Sequence, residues 1–75
     1  MNKIRRKEIA KAIELMEQAR EILENVRDEE QEAFDNMPES LQGSERGETM
    51  EEYICTLEEA IEAMDTDELQ EIVDG

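Results

Sequence analysis

No glycine or proline interrupts the chain between Lys3 and Asn36, and along it Ile9, Ala12, Ile13, Met16, Ala19, Leu23, Val26, Ala33 and Phe34 recur at three- and four-residue steps. Apolar residues so spaced share one face of an α-helix and no single face of a strand. The spacing therefore predicts one helix over 3–36, about 50 Å long at a rise of roughly 1.5 Å per residue. Ile4, Leu15 and Ile22 widen its apolar stripe beyond a strict coiled-coil seam, which suits a helix touching more than one neighbour. Glu17 with Arg20 and Glu24 with Arg27 are i,i+3 pairs on the wet side, each worth about 0.2–0.5 kcal/mol. Asn36, which tolerates a left-handed cap, and Pro38, which biases Met37 out of helical conformation, end the element.

Residues 37–48 read as a loop rich in turn formers, whose one large apolar residue, Leu41, is expected to fold back over the helix ends. Thr49-Met50-Glu51-Glu52 fits a capping box and predicts a second helix over 49–73. Met50, Ile54, Leu57, Ile61 and Met64 follow a 4-3-4-3 spacing, the signature of a seam packed against other helices. Beyond Met64 the pattern slips to Leu69, Ile72 and Val73, which marks a kink or short break near Asp65.

Two helices in 75 residues form a single domain, 1–75, and an all-α fold: an antiparallel two-helix hairpin. With one Phe, one Tyr and no Trp, the core must be aliphatic, with five Met as adaptable filler. Ordering each residue costs about 1.5 kcal/mol, and so short a chain recovers little more by burying apolar surface. Hence the hairpin is expected to pair with a second copy as a homodimeric four-helix bundle, or to complete a bundle on another protein. Ile9, Ile13, Met16, Leu23 and Val26 of the first helix, with Met50, Ile54, Leu57, Ile61 and Met64 of the second, are the packing and dimer-interface candidates.

The chemistry is constrained mainly by what is missing. There is no His, and the one cysteine, Cys55, has no thiol partner and no evident base, so disulfide, zinc and nucleophilic sites lack their residues. Carboxylates beside Cys55 disfavour its thiolate, and an inert thiol is expected. Asp65-Thr66-Asp67 resembles the opening of a calcium loop but lacks the glycine and closing glutamate at the required offsets. No Gly-rich phosphate loop or nucleophile elbow is present. The chain reads as a non-enzyme with no cofactor, no metal, no small-molecule substrate and no membrane span. The basic start is not followed by the apolar run of a signal peptide, and the location expected is cytoplasmic.

Charge is the remaining signal. The net charge of −15 argues against direct binding to nucleic acid or an anionic membrane. Its distribution is polarised: Lys3, Arg5, Arg6, Lys7 and Lys11 open the chain, whereas Glu48 to Gly75 holds eleven acidic residues and no basic one. In a hairpin the basic start lies beside Asp65, Asp67, Glu68, Glu71 and Asp74, so it either pairs internally or is offered to a partner. On the second helix Glu51, Glu58 and Asp65 align at seven-residue spacing, Glu52 and Glu59 form a row beside them, and Glu48 and Glu62 form a third. Eleven carboxylates over that length give roughly one charge per 4 Å, close to the ~3.4 Å phosphate spacing along one DNA strand. Two readings follow, a phosphate-mimicking face (Glu51, Glu52, Glu58, Glu59, Glu62) or a solvated face that keeps a small protein in solution.

The stretch Asn36-Met37-Pro38-Glu39-Ser40-Leu41-Gln42-Gly43-Ser44-Glu45-Arg46-Gly47-Glu48 between two charged amphipathic helices resembles a group of small acidic helical proteins of unassigned function from bacteria and their phages or prophages. The resemblance implies a phage or mobile-element origin, hence a bacterial host cytoplasm. It makes an inhibitor of a nucleic-acid-binding host defence protein one functional expectation. A self-associating adaptor or assembly protein that binds through its apolar faces is the other. An antitoxin-like partner is a third, though no DNA-binding motif accompanies it.

Overall fold

The computed structural model describes all 75 residues, and the protein is all-α: 85% helical, with no strand. Its elements are α1 (Lys3–Asp35), α2 (Glu39–Gln42), α3 (Glu45–Ala63) and α4 (Asp67–Asp74). α3 and α4 both lie against α1, and the Cα trace measures 58 × 14 × 13 Å.

α1 starts where Asn2, in extended backbone, accepts the Arg5 N–H on Oδ1 at 2.8 Å. That cap supplies one of the four acceptors a helix N-terminus needs. The helix ends at Asp35, and Asn36 remains right-handed (φ −82°, ψ −7°), so the anticipated left-handed cap is not used. Pro38 (φ −56°, ψ 144°) turns the chain into α2 instead. The side chain of Gln42 then reaches back, its Nε2 donating to the carbonyls of Phe34 (3.1 Å) and Met37 (3.2 Å). Gln42 thus satisfies carbonyls that the end of α1 leaves open, a clasping role that falls to it and not to Leu41, which is 49% exposed.

The stretch 37–48 is therefore no simple loop. It contains α2 and the first turn of α3, which begins at Glu45 with Ser44 as N-cap accepting from the Gly47 N–H. Thr49 lies inside this helix and donates its hydroxyl to the Glu45 carbonyl, so the capping box read at Thr49–Glu52 does not form. A capping-box pattern marks a helix start only where the preceding backbone is extended. Here the helix was already under way, because Ser44, four residues before Glu48, offers an equivalent oxygen. The second expected helix, 49–73, divides: α3 stops at Ala63 and α4 starts at Asp67, with the break where the apolar spacing slips. Asp65 stabilises the restart by accepting the Asp67 N–H on Oδ1 at 3.0 Å.

The packed seam follows a heptad. On α1 it runs through Arg6, Ile9, Ile13, Met16, Arg20, Leu23, Arg27, Glu30 and Phe34, all buried or half-buried. On α3 it runs through Gly47, Met50, Ile54, Leu57, Ile61 and Met64. Two helices in contact along their length stay in register only if the contact repeats every 3.5 residues, not every 3.6. That is why Arg27 occupies the seam and Val26, expected there, is 44% exposed. Only Ile13, Ile54 and Ile61 form the buried apolar core, at 5%, 6% and 4% exposure. Each such isoleucine contributes about 1.5–3 kcal/mol.

Candidate functional site

Side chains one position after the seam lie about 100° round each helix from it. On α1 these are Lys7, Ala10, Glu14, Glu17, Glu21, Glu24, Asp28, Gln31 and Asp35, and on α3 Glu48, Glu51, Cys55, Glu58 and Glu62, followed by Asp65 just beyond it. Every α3 member is exposed. Each helix thus carries a carboxylate flank beside its packed seam. Of the residues proposed from sequence as the acidic face, Glu51, Glu58 and Glu62 occupy this flank. Glu52 and Glu59 are rotated further, onto the outward side of α3, and are also exposed.

Cations hardly touch this surface. The ion pairs are Arg20 with Glu24 (3.2 Å) and Arg27 with Asp28 (3.0 Å). Neither i,i+3 pair anticipated from sequence forms, because a seam arginine leans out toward the carboxylate on its own side of the groove. Arg20 Nε is shielded from solvent yet not aligned for a hydrogen bond, and Arg6 Nε is shielded with no partner. Although α4 lies against α1, no cation among Lys3, Arg5, Arg6, Lys7 and Lys11 comes within 4 Å of a carboxylate. The internal pairing expected between the basic start and the acidic end is absent. Those cations also sit in the first turns of α1, where they oppose the helix dipole.

Cys55 is exposed on the carboxylate flank, its Sγ 3.8 Å from Glu59 Oε1. The negative charge of Glu59 pushes the thiol above its ordinary pKa, with smaller contributions from local desolvation, its hydrogen bond to Glu59, and Glu58. That environment disfavours the nucleophilic thiolate.

One hollow, of about 470 Å³, lies between the end of α1 and the start of α3, lined by Glu30, Glu45, Arg46, Thr49, Met50 and Tyr53. No group of three His, Cys, Asp or Glu side chains is arranged to hold a metal ion. No helix is long and apolar enough to cross a membrane.

The opposite flank, one position before the seam, differs in kind. On α1 it presents Arg5, Glu8, Ala12, Leu15, Ala19, Ile22, Val26, Glu29 and Ala33, and on α3 Arg46, Thr49, Tyr53, Thr56, Ala60 and Ala63. Leu15 is 57% exposed, Ile22 63% and Tyr53 60%. Reading the second helix alone for acidity missed both the carboxylates that α1 contributes and this flank, which is uncharged from Ala12 to Val26 and from Thr49 to Ala63. Counting positions from the heptad seam on both helices would have found them. No protein-family model, curated protein or solved structure matches this chain.

Proposed function

We propose that the chain is an antiparallel two-helix hairpin and a non-enzymatic protein-binding module that lays its carboxylate flank on a cationic surface of another protein. In an antiparallel pair the position after the seam falls on the same side of both helices, because reversing one helix reverses the sense in which its residues wind. The flanks of α1 and α3 then merge into a single acidic side, with the flanks that hold Leu15, Ile22 and Tyr53 together on the other. The observation that carries this reading is the row Glu48, Glu51, Glu58 and Glu62, exposed and free of any cation. Carboxylates crowded along one side repel one another, and a partner's Lys and Arg would relieve that cost.

A surface that recognises such a row is one that otherwise holds phosphates. The partner class proposed is therefore a nucleic-acid-binding protein. The resemblance described above extends this to a phage or mobile-element inhibitor of a host defence protein, acting in the bacterial cytoplasm. The exposed Leu15, Ile22 and Tyr53 favour a complementary role in self-association, as a hairpin that pairs into a four-helix bundle.

The test is a pull-down from bacterial lysate with the native chain and with a Glu51, Glu58, Glu62→Gln variant, at about 50 mM and about 0.5 M salt. Nucleic-acid-binding proteins captured by the native chain alone, and only at low salt, support the proposal. Identical capture by both chains at both salts refutes it and leaves the self-associating adaptor.

A further inference from the structure

We propose that a second copy of this chain docks on the uncharged flank formed by Leu15, Ile22 and Val26 of α1 and Tyr53 and Ala60 of α3, with the two rods reversed in direction. This rests on the hairpin reading above and names the surface and orientation of its partner copy. The seam residues Ile9, Ile13, Met16, Leu23, Ile54, Leu57 and Ile61 are already packed within the chain, so they cannot also form an interface between copies. What remains is a second heptad series, one step behind the first: exposed Leu15, Ile22 and Val26 with half-buried Ala19 on α1, and exposed Tyr53, Thr56 and Ala63 with half-buried Ala60 on α3. Alternation of large and small side chains along such a series lets facing helices interdigitate.

The dimensions suit a dimer. With its charged ends included, the face measures 58 by 14 Å, on the order of 800 Å², near the roughly 800 Å² that each partner contributes to a standard stable interface, and the apolar stretch from Leu15 to Val26 fills about 17 Å at its centre. A chain whose buried apolar core is Ile13, Ile54 and Ile61 also needs that additional burial.

Charge fixes the occupant and its direction. The loop end of the rod carries Glu29, Glu30, Glu32, Asp35, Glu45 and Glu48 against Arg46, whereas the other end sets the unpaired cations of Lys3 to Lys11 beside the carboxylates of α4 and is close to charge balance. Stacked in the same direction, two copies would bring their acidic loop ends together. Stacked in reverse, each basic start meets the acidic end of the other α1, and the cations that oppose one helix dipole face the negative end of another. With the two-fold axis across the rods, α1 lies on its counterpart α1, and Ala19, at the middle of the helix, lies near the axis. The carboxylate flanks then face outward on opposite sides of the dimer.

Light scattering at micromolar concentration is expected to give twice the 8.7 kDa chain mass, and a Leu15→Asp, Ile22→Asp variant to give the single-chain mass while keeping its helical circular dichroism. Should that variant unfold, a Cys55→Ser, Ala19→Cys chain decides: under mild oxidation it is expected to link nearly completely with itself at unchanged helicity. A native monomer overturns the proposal. A dimer mass without the Ala19 link overturns the reversed orientation. Glu58→Gln, Glu62→Gln should leave the dimer mass unchanged even if partner capture is lost, which separates failure of this interface from failure of the acidic-side reading. Loss of the dimer in that variant overturns the assigned surface.

Discussion

Gly47 stands where α3 passes closest to the backbone of α2, and the absence of its side chain is what permits the approach. A Cβ there would lie 2.1 Å from the Gln42 carbonyl oxygen and 2.7 Å from that of Leu41. In an ordinary helix interior, Gly→Ala stabilises by about 1 kcal/mol. Here the obstacle is backbone, which cannot rotate away, so Gly47→Ala is expected to destabilise by about 1–3 kcal/mol. Urea unfolding should show a lower midpoint at unchanged slope. A higher midpoint would mean that α2 does not seat against α3. Cys55 offers a second check at this scale. Because Glu59 raises its pKa, removing that charge must lower it. Below the thiol pKa, Glu59→Gln should therefore speed alkylation by iodoacetamide, severalfold near pH 8, and equal rates would show that the carboxylate does not bear on the thiol. The inert thiol was legible in the sequence because a neighbouring charge at four-residue spacing is local information. The role of Gly47 was not, since it depends on where α2 turns, and Gly47 taken alone looks like any loop glycine.

Among elements, the seam separates what periodicity reveals from what packing decides. Ile13, Ile54 and Ile61 could be picked out at once, because a large aliphatic residue inside the stripe is buried under either repeat. Val26 and Arg27 could not, since they differ by a single residue and the choice depends on whether the contact repeats at 3.5 or 3.6. Arg27 half-buries its aliphatic stem in the seam and keeps its guanidinium 3.0 Å from Asp28. An exposed pair of this sort contributes at most about 1 kcal/mol. A leucine at the same position would bury more apolar area for about 1–2 kcal/mol. Arg27→Leu is thus expected to raise the melting temperature by several degrees. The start of α3 provides a converse case. If Ser44 is the cap, Ser44→Ala costs about 1 kcal/mol, and Thr49→Ala costs little because its hydroxyl only bonds back to the Glu45 carbonyl within the helix. The reverse ranking would return the helix start to Thr49. Sequence placed it there because two cap-compatible residues stand five positions apart, and only the placement of α2 chooses between them.

At the scale of the whole molecule, 23 acidic against 8 basic residues are spread over a rod only about 14 Å across. At roughly 10 mM salt the Debye length is about 30 Å, so each charge feels the full width of the rod, and at 0.1 M it falls to about 10 Å. Two opposing effects then compete. Screening relieves repulsion along the carboxylate flanks, and in the proposed dimer it weakens attraction between the basic starts and acidic ends. The first involves most of the 23 carboxylates and the second only five cations per chain, so repulsion dominates. Raising sodium chloride from about 10 mM to about 0.2 M at fixed protein concentration should therefore stabilise the fold, by on the order of 1 kcal/mol or a rise of about 5 °C in melting temperature. Neutralising Glu51, Glu58 and Glu62 as glutamines should raise the low-salt melting temperature and flatten its dependence on salt, because those side chains supply the repulsion and make no ion pair in return. A melting temperature that falls with salt would show instead that attraction between the ends outweighs the flanks. The stability retained at low salt would then reside chiefly in the contact between copies.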